Sequence, residues 1–282
     1  MLELPEAVTL ARQINEILLG KTIASARANT SPHRFAFHQG DPETYPERLR
    51  NQIIGEATPR GSLIATDTDI GTERVLLLGD GGLRILYHER ETTPPKKHQL
   101  LIRFDDSTYL TVSVSGWGAI WLMAHAEQAA HKVAGYQGIS PVSDDFTERY
   151  LDTLFAAVPP DDKRTIKLFI VSDPKIWGVG NGYLQDILFH AGLHPRRRVV
   201  DLTDADRARL YTAIRTTLTE AVAANGRTTE RDLFNRRGGY ARLMDSKTNG
   251  QPCPVCNTPI EKISYLGGSC YLCQHCQPLP EE

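Results

Sequence analysis

Two clusters in this 282-residue chain are of residue types that do chemistry. The first is the opening MLELPE, in which Glu3, Pro5 and Glu6 precede an apolar-periodic run. Carboxylates beside a terminal amine are either the acidic first turn of a helix, where the dipole favours them, or an acid/base pair. The second is C-P-V-C at Cys253 and Cys256 followed by C-Q-H-C at Cys273 and Cys276, with 16 residues between the pairs. Two such knuckles bring four thiolates into a tetrahedron around one structural zinc ion. Two disulfides are the other pairing, but they do not suit a reducing compartment, and a redox pair would not need its duplicate. Cys270 falls outside the spacing and reads as a packing residue.

A third stretch, KIWGVGNGYLQDILFHAGLHP, reads as a glycine loop entering a helix. Gly178 and Gly180 allow a tight turn, Asn181 stands where the helix begins, and Leu184, Ile187 and Leu188 give its buried face before Gly192 and Pro195 end it. Unpaired N–H groups and the positive end of the dipole make such a start a phosphate site. The alternative is that Asn181 only caps the helix.

The elements that must position these groups follow from periodicity. Val8, Ala11, Ile14, Ile17 and Leu18 recur at helical spacing, so a helix is expected over 6–19. ERVLLLGDGGLRILYHE gives two apolar runs around a glycine turn. HQLLIRFDDSTYLTVSVSGWGAIWLM gives two more, with Leu110, Val112 and Val114 alternating against Tyr109, Thr111 and Ser113. These read as antiparallel hairpins. With extended pieces near 22–38 and 53–66, they predict a two-layer β domain with the first helix packed on it. Helical spacing returns at Leu151, Leu154 and Phe155 and again at Leu210, Ile214, Leu218, Ala221 and Val222, the latter segment opening at Thr203 with Asp206 three on and closing at Asn225-Gly226. The fold class is therefore α+β: a β domain over 1–132, a mostly helical domain over 133–247 and a cysteine module over 248–282.

The net charge of −2 argues against a generic nucleic-acid binder until it is divided along the chain. Residues 163–250 hold 16 Lys+Arg against 9 Asp+Glu, a balance of +7, which leaves 16 against 25, or −9, for the remainder. A regional basic surface of this kind suits a nucleic-acid groove, and a solvated helical domain looks the same by composition. No apolar stretch approaches the roughly 20 residues that span a bilayer, and the acidic start lacks a secretory signal pattern, so a cytoplasmic protein is expected, nucleoid-associated where it binds DNA.

Taken together, MLELPE, KIWGVGNGYLQDILFHAGLHP and the CPVCNTPI to CQHCQ ending closely resemble the formamidopyrimidine-DNA glycosylase and endonuclease VIII family, in matching order over essentially the whole chain. The resemblance implies an N-terminal β-sandwich, a helix-two-turns-helix domain and a zinc-finger hairpin, with damaged or distorted duplex DNA in the cleft between. Such enzymes act in base excision repair as DNA glycosylases: they flip a damaged base out of the stack and break its glycosidic bond. In the family an exposed proline amine forms a Schiff base with the sugar, which also permits strand cleavage, and a neighbouring Glu shuttles protons. The resemblance makes Glu3 and Glu6 the candidate catalytic acids and Lys175, Gly180 and Asn181 the phosphate-gripping set. A monomer follows from a cleft built within one chain.

The chain departs from the family at positions the resemblance places against DNA. Leu2 stands where the nucleophilic proline belongs, and a large second residue should retain Met1, whose primary amine is the remaining candidate nucleophile. Ser62 takes the position of a Lys, Asp80 that of an apolar wedge, and Gly268 that of a phosphate-binding Arg. Ser115 and Gly116 replace a charged loop residue, while Trp117 keeps an aromatic that can stack in an opened duplex or fill a strand end. Two functions stay open at this point: a glycosylase with doubtful lyase activity, working through Glu3 and water or the Met1 amine, or a catalytically inactive binder of distorted DNA or structured RNA.

Overall fold

The computed structural model describes residues 1–68, 74–90, 92–172 and 176–280. Within these the chain forms two compact units, one of residues 1–137 with 224–239 and one of 138–223 with 240–282.

The first unit opens with α1 (Leu4–Ile17), about half a turn earlier than the periodicity suggests. Glu3 is its N-cap residue and donates its own N–H to Glu6 Oε2 at 3.0 Å, so the acidic start does cap the helix. The strands that follow are β1 (Ile23–Ala28), β2 (Ala36–His38), β3 (Ile54–Arg60), β4 (Leu63–Thr68), β5 (Arg74–Gly79), β6 (Leu83–His88), β7 (Leu100–Phe104), β8 (Tyr109–Val114) and β9 (Gly118–Ala124), with the short α2 (Tyr45–Leu49) ahead of β3 and α3 (His125–Ala130) after β9. They form a four-stranded sheet in the order β1-β7-β8-β6 and a five-stranded sheet in the order β2-β9-β5-β4-β3, antiparallel except where β2 runs parallel to β9. One core lies between them: Ile102, Leu110 and Val112 from one sheet meet Ile64, Leu76, Leu78 and Ile120 from the other, with Leu10 and Ile14 of α1. Alternate residues of the central strands, Val75, Leu77, Trp121 and Met123, build a second cluster with Ala134, which is why β5 and β9 read as continuous apolar runs.

Two expected hairpins are sheet crossings instead. β5 and β6 flank the glycine turn but pair with β4 and β9 in one sheet and with β8 in the other, and β8 and β9 divide the same way. The turn at 79–82 and the loop at 115–117 therefore carry the chain between layers side by side. Gly82 N donates to Trp117 O at 2.7 Å, and Ser115 N donates to Gly82 O at 2.6 Å. Such close backbone approach needs glycine: a Cβ on Gly81 would sit 2.1 Å from Trp117 O, and one on Gly82 2.1 Å from Ser115 O. The β7–β8 hairpin forms as expected.

The units also divide the chain differently from the sequence segments, because residues 224–239 pack with the β layers. Gln13 explains it: its side chain donates to Asp232 Oδ2 and accepts from Leu233 N, both at 2.9 Å, and Leu233 joins the sheet core.

The second unit contains α4 (Glu148–Ala156), α5 (Ile166–Val171), α6 (Asn181–Ala191), α7 (Asp204–Ala223) and the hairpin β10 (Glu261–Tyr265) with β11 (Gly268–Leu272). Thr203 and Asp206 cap α7 reciprocally, as their spacing predicts. Leu184, Ile187 and Leu188 of α6 and Leu210, Ile214 and Leu218 of α7 share one core. The cysteine module is no separate body. Gln185 of α6 donates to Ser269 O and accepts from Tyr271 N, and Gln277 donates to Leu193 O at 2.9 Å. Buried Asp186 takes bonds from Tyr240 Oη, Leu243 N and Met244 N, and burial pushes its carboxyl above the usual range. No helix among the described residues is long and apolar enough to cross a membrane.

Gly81→Ala forces the two crossing loops apart, and a loss of about 1–3 kcal/mol of stability is expected in urea denaturation; an unchanged midpoint would show that the crossing has slack.

Candidate functional site

The acids of the opening converge on a residue the sequence reading passed over. Arg227, 3 % exposed, donates Nη1 to Glu3 Oε1 at 3.0 Å and Nε to Glu6 Oε1 at 3.2 Å. Its Nη2 reaches Glu6 Oε2 at 3.2 Å and the Met1 carbonyl, and its backbone N donates to Glu6 Oε1 at 3.0 Å. Glu3 and Glu6 are themselves 2 % and 3 % exposed. A guanidinium with planar donors is the group that can bond two buried carboxyl groups at once. Gly226 makes room for it: φ is +86° there, and a Cβ would fall 2.9 Å from Glu6 Oε1. The signal was available in the residues after α7, where Asn225 and Gly226 end the helix and a charged residue follows. Nothing local pairs it with residues more than 220 positions away.

Leu2 is buried in the sheet core, and its amide donates to Gly81 O at 2.7 Å. Met1 N lies 2.8 Å from Glu230 Oε1. These two groups face a cavity of about 390 Å³ within the first unit, lined among others by Met1, Arg84, Ser113, Ser115, Glu230 and Arg231. Glu230 is the only acidic lining residue among those described.

The crossing loops place the other expected positions in this unit. Trp117 stands 43 % exposed between β8 and β9, so it is no strand-end core residue. Phe35 O accepts from Gly118 N at 3.0 Å, and the Phe35 ring, also exposed, lies 5.2 Å from the Arg34 guanidinium. Ser62 and Asp80 are bonded to each other, Oγ to Oδ1 at 3.1 Å.

In the second unit Gly180 is the residue before α6 and Gly192 ends the helix at φ +67°. Asn181 is the exposed first residue of α6, and Lys175 lies outside the described residues. The structure adds Lys167, which is 1 % exposed yet brings Nζ to Tyr265 O at 2.6 Å and to Cys270 Sγ at 3.5 Å. Gly268 closes this corner: a Cβ on it would lie 3.5 Å from Lys167 Nζ and 3.7 Å from Asn181 Nδ2. Cys270 is thus both buried packing and a Lys167 acceptor.

Cys253, Cys256, Cys273 and Cys276 come together with their sulfurs within 4.8 Å of one another, a set that could hold a metal ion. Hydrogen bonds from Thr258 hold the Cys256 thiol down to about 6, while burial and the neighbouring sulfurs push Cys276 up. Thiols this close resist ionising together without a cation among them.

Arg227→Ala leaves two buried carboxylates without their guanidinium and is expected to cost about 3–5 kcal/mol in denaturant unfolding. Adding Glu3→Gln to that variant should recover part of the loss.

Known proteins share this architecture. Residues 1–113 match the family model described as the formamidopyrimidine-DNA glycosylase N-terminal domain, and 138–232 match its H2TH domain. The formamidopyrimidine-DNA glycosylase of Shigella dysenteriae is 31 % identical over 98 % of this chain and all of its own length, and that of Listeria innocua 29 % with the same coverage. A solved structure of the Lactococcus lactis Fpg protein in complex with N7-benzyl-Fapy-dG containing DNA superposes with a TM-score of 0.85, at 21 % identity, covering 98 % of this chain and all of that one. The chain belongs to the formamidopyrimidine-DNA glycosylase family.

Proposed function

We propose that this protein is a damage-recognising DNA glycosylase that removes the base with water rather than through an imine. The observation that carries it is the unbroken likeness to glycosylases across the chain, combined with a site that keeps both acids but has a buried Leu2 amide in place of the amine. The Leu2 nitrogen is peptide-bonded and donates to Gly81 O, so it offers no electron pair to a sugar carbon. Solved relatives of the same fold hold Fapy-dG or abasic-site DNA, and the same chemistry of substrate is assigned here: a lesion in duplex DNA, flipped out of the stack.

Phosphate contacts fall to the start of α6, where Gly180 and Asn181 present backbone N–H groups and an amide, and to Lys175. Trp117 is the aromatic that stacks in the space the flipped nucleotide leaves. Glu3 and Glu6 are bonded by Arg227 beside the cavity wall that Met1 and Glu230 form. The protein works as a monomer in the cytoplasm, at the nucleoid.

The four cysteines suit one zinc ion. Thiolates about 2.3 Å from a tetrahedral zinc stand roughly 3.8 Å apart, and the sulfur pairs here measure 3.4 Å for Cys256 and Cys273 and 3.8 Å for Cys253 and Cys276. Bound zinc would tie the β10–β11 hairpin to its flanking knuckles and supply folding energy, not reactivity.

Metal analysis of the purified protein should return one zinc per chain. Stripping it with a chelator at low pH should lower the thermal midpoint and abolish duplex binding, both restored by zinc. Borohydride trapping on duplexes carrying an oxidised pyrimidine, Fapy-dG or an abasic site decides the reaction. Alkali-labile sites without a trapped adduct are expected. A trapped adduct would replace the water route by an amine route, and mass spectrometry of the linked peptide would name the amine. Neither adduct nor base loss, with binding intact, would leave the catalytically inactive binder of distorted DNA or structured RNA. Duplex affinity should fall steeply between low and physiological salt.

A further inference from the structure

We propose that Glu230, not Glu3, is the catalytic carboxylate of this site and takes the proton of the attacking water. The inference rests on the glycosylase reading and deepens it.

Three observations carry it. Glu3 and Glu6 are almost wholly closed off, each bonded to the Arg227 guanidinium, and neither lines the cavity. A carboxylate held this way orients its neighbours, but it has no path to a water molecule on a bound sugar. Glu230 does line the cavity, with its side chain 21 % exposed, and is the only acid that does so among the described residues. Its position is fixed from three sides. Its backbone N donates to Arg227 O at 3.0 Å, Met1 N stands 2.8 Å from Oε1, and Arg227 Nη2 approaches Oε1 at 3.9 Å.

The rest of the wall suits a nucleotide. Arg84 and Arg231 offer cations to its phosphates, and Ser113, Ser115 and Thr229 offer hydroxyls to sugar and base edges. About 390 Å³ lies within the roughly 300–1,000 Å³ of ligand-sized cavities. In the reaction the water oxygen forms a bond to C1′ and gives one proton to Glu230. The C1′–N bond breaks with its electron pair leaving on the base nitrogen, which is protonated from solvent, and Glu230 returns its proton to solvent. The sum is hydrolysis, with no co-reactant other than water. Arg227 is then a positioning residue, tying the turn that carries Glu230 to the acids of the α1 start.

The test compares full-length parent, Glu230→Gln, Glu230→Asp and Glu3→Gln on duplexes with a single oxidised pyrimidine or Fapy-dG, reading single-turnover base loss after alkali. Affinity for a tetrahydrofuran-containing duplex and the thermal midpoint are measured alongside. For Glu230→Gln the rate should fall by about 10²-fold or more, with affinity within about threefold and an unchanged midpoint, and Glu230→Asp should recover part of the rate. Glu3→Gln should lower the midpoint more than the rate. Base loss by Glu230→Gln at the parent's pace overturns the assignment while leaving the glycosylase reading standing. A parent that releases no base from either lesion overturns both.

Discussion

The pairing of one buried guanidinium with two buried carboxylates is the constraint on which the first unit's functional end depends. Polar groups out of water must be hydrogen-bonded, and Arg227 reaches Glu3 and Glu6 with planar donors at 3.0 to 3.2 Å. The match fixes more than charge. It holds the first turn of α1, it joins the Gln13 bonds in tying residues 224–239 to the β layers after α7, and it sets the frame in which Glu230 and Met1 meet at 2.8 Å. A single residue thereby decides which carboxylates are structural and which one is accessible.

Beside this frame, the two sheet crossings supply the cavity's other wall. Their backbones touch at Gly81, Gly82, Ser115 and Trp117, where any Cβ on the glycines would collide with a carbonyl oxygen. That intimacy leaves Trp117 as an exposed side chain and turns Asp80 back onto Ser62. Asp80 is therefore not an isolated acid aimed at phosphates. Its partner is the Ser62 hydroxyl, so the two positions form one local hydrogen bond.

The second unit also satisfies its buried polar groups internally, at the corner where α6 begins. Lys167 keeps its ammonium bonded to Tyr265 O while lying next to the start of α6, and the absence of a side chain at Gly268 leaves that corner open. Gln185 and Gln277 tie the cysteine hairpin to α6 and to Leu193, so that the cysteine knuckles and the helix form one body.

The sequence by itself determined the elements and the local motifs. The helical spacing of α1, the reciprocal Thr203 and Asp206 cap, the α6 start at Asn181 and the four clustered cysteines are all local patterns, governed by interactions between residues close in the chain. The family was legible for the same reason, since its motifs are short and ordered. Tertiary structure alone decided the rest. That β5 and β6 part into different sheets depends on which strands lie beside them, and hydrophobic alternation is identical for a hairpin and a crossing. That Glu3 and Glu6 are bonded to Arg227, and that Glu230 faces the cavity instead, depends on pairings across more than 220 residues. The charge of a side chain is written in the sequence, but its partner is set by where the folded chain returns.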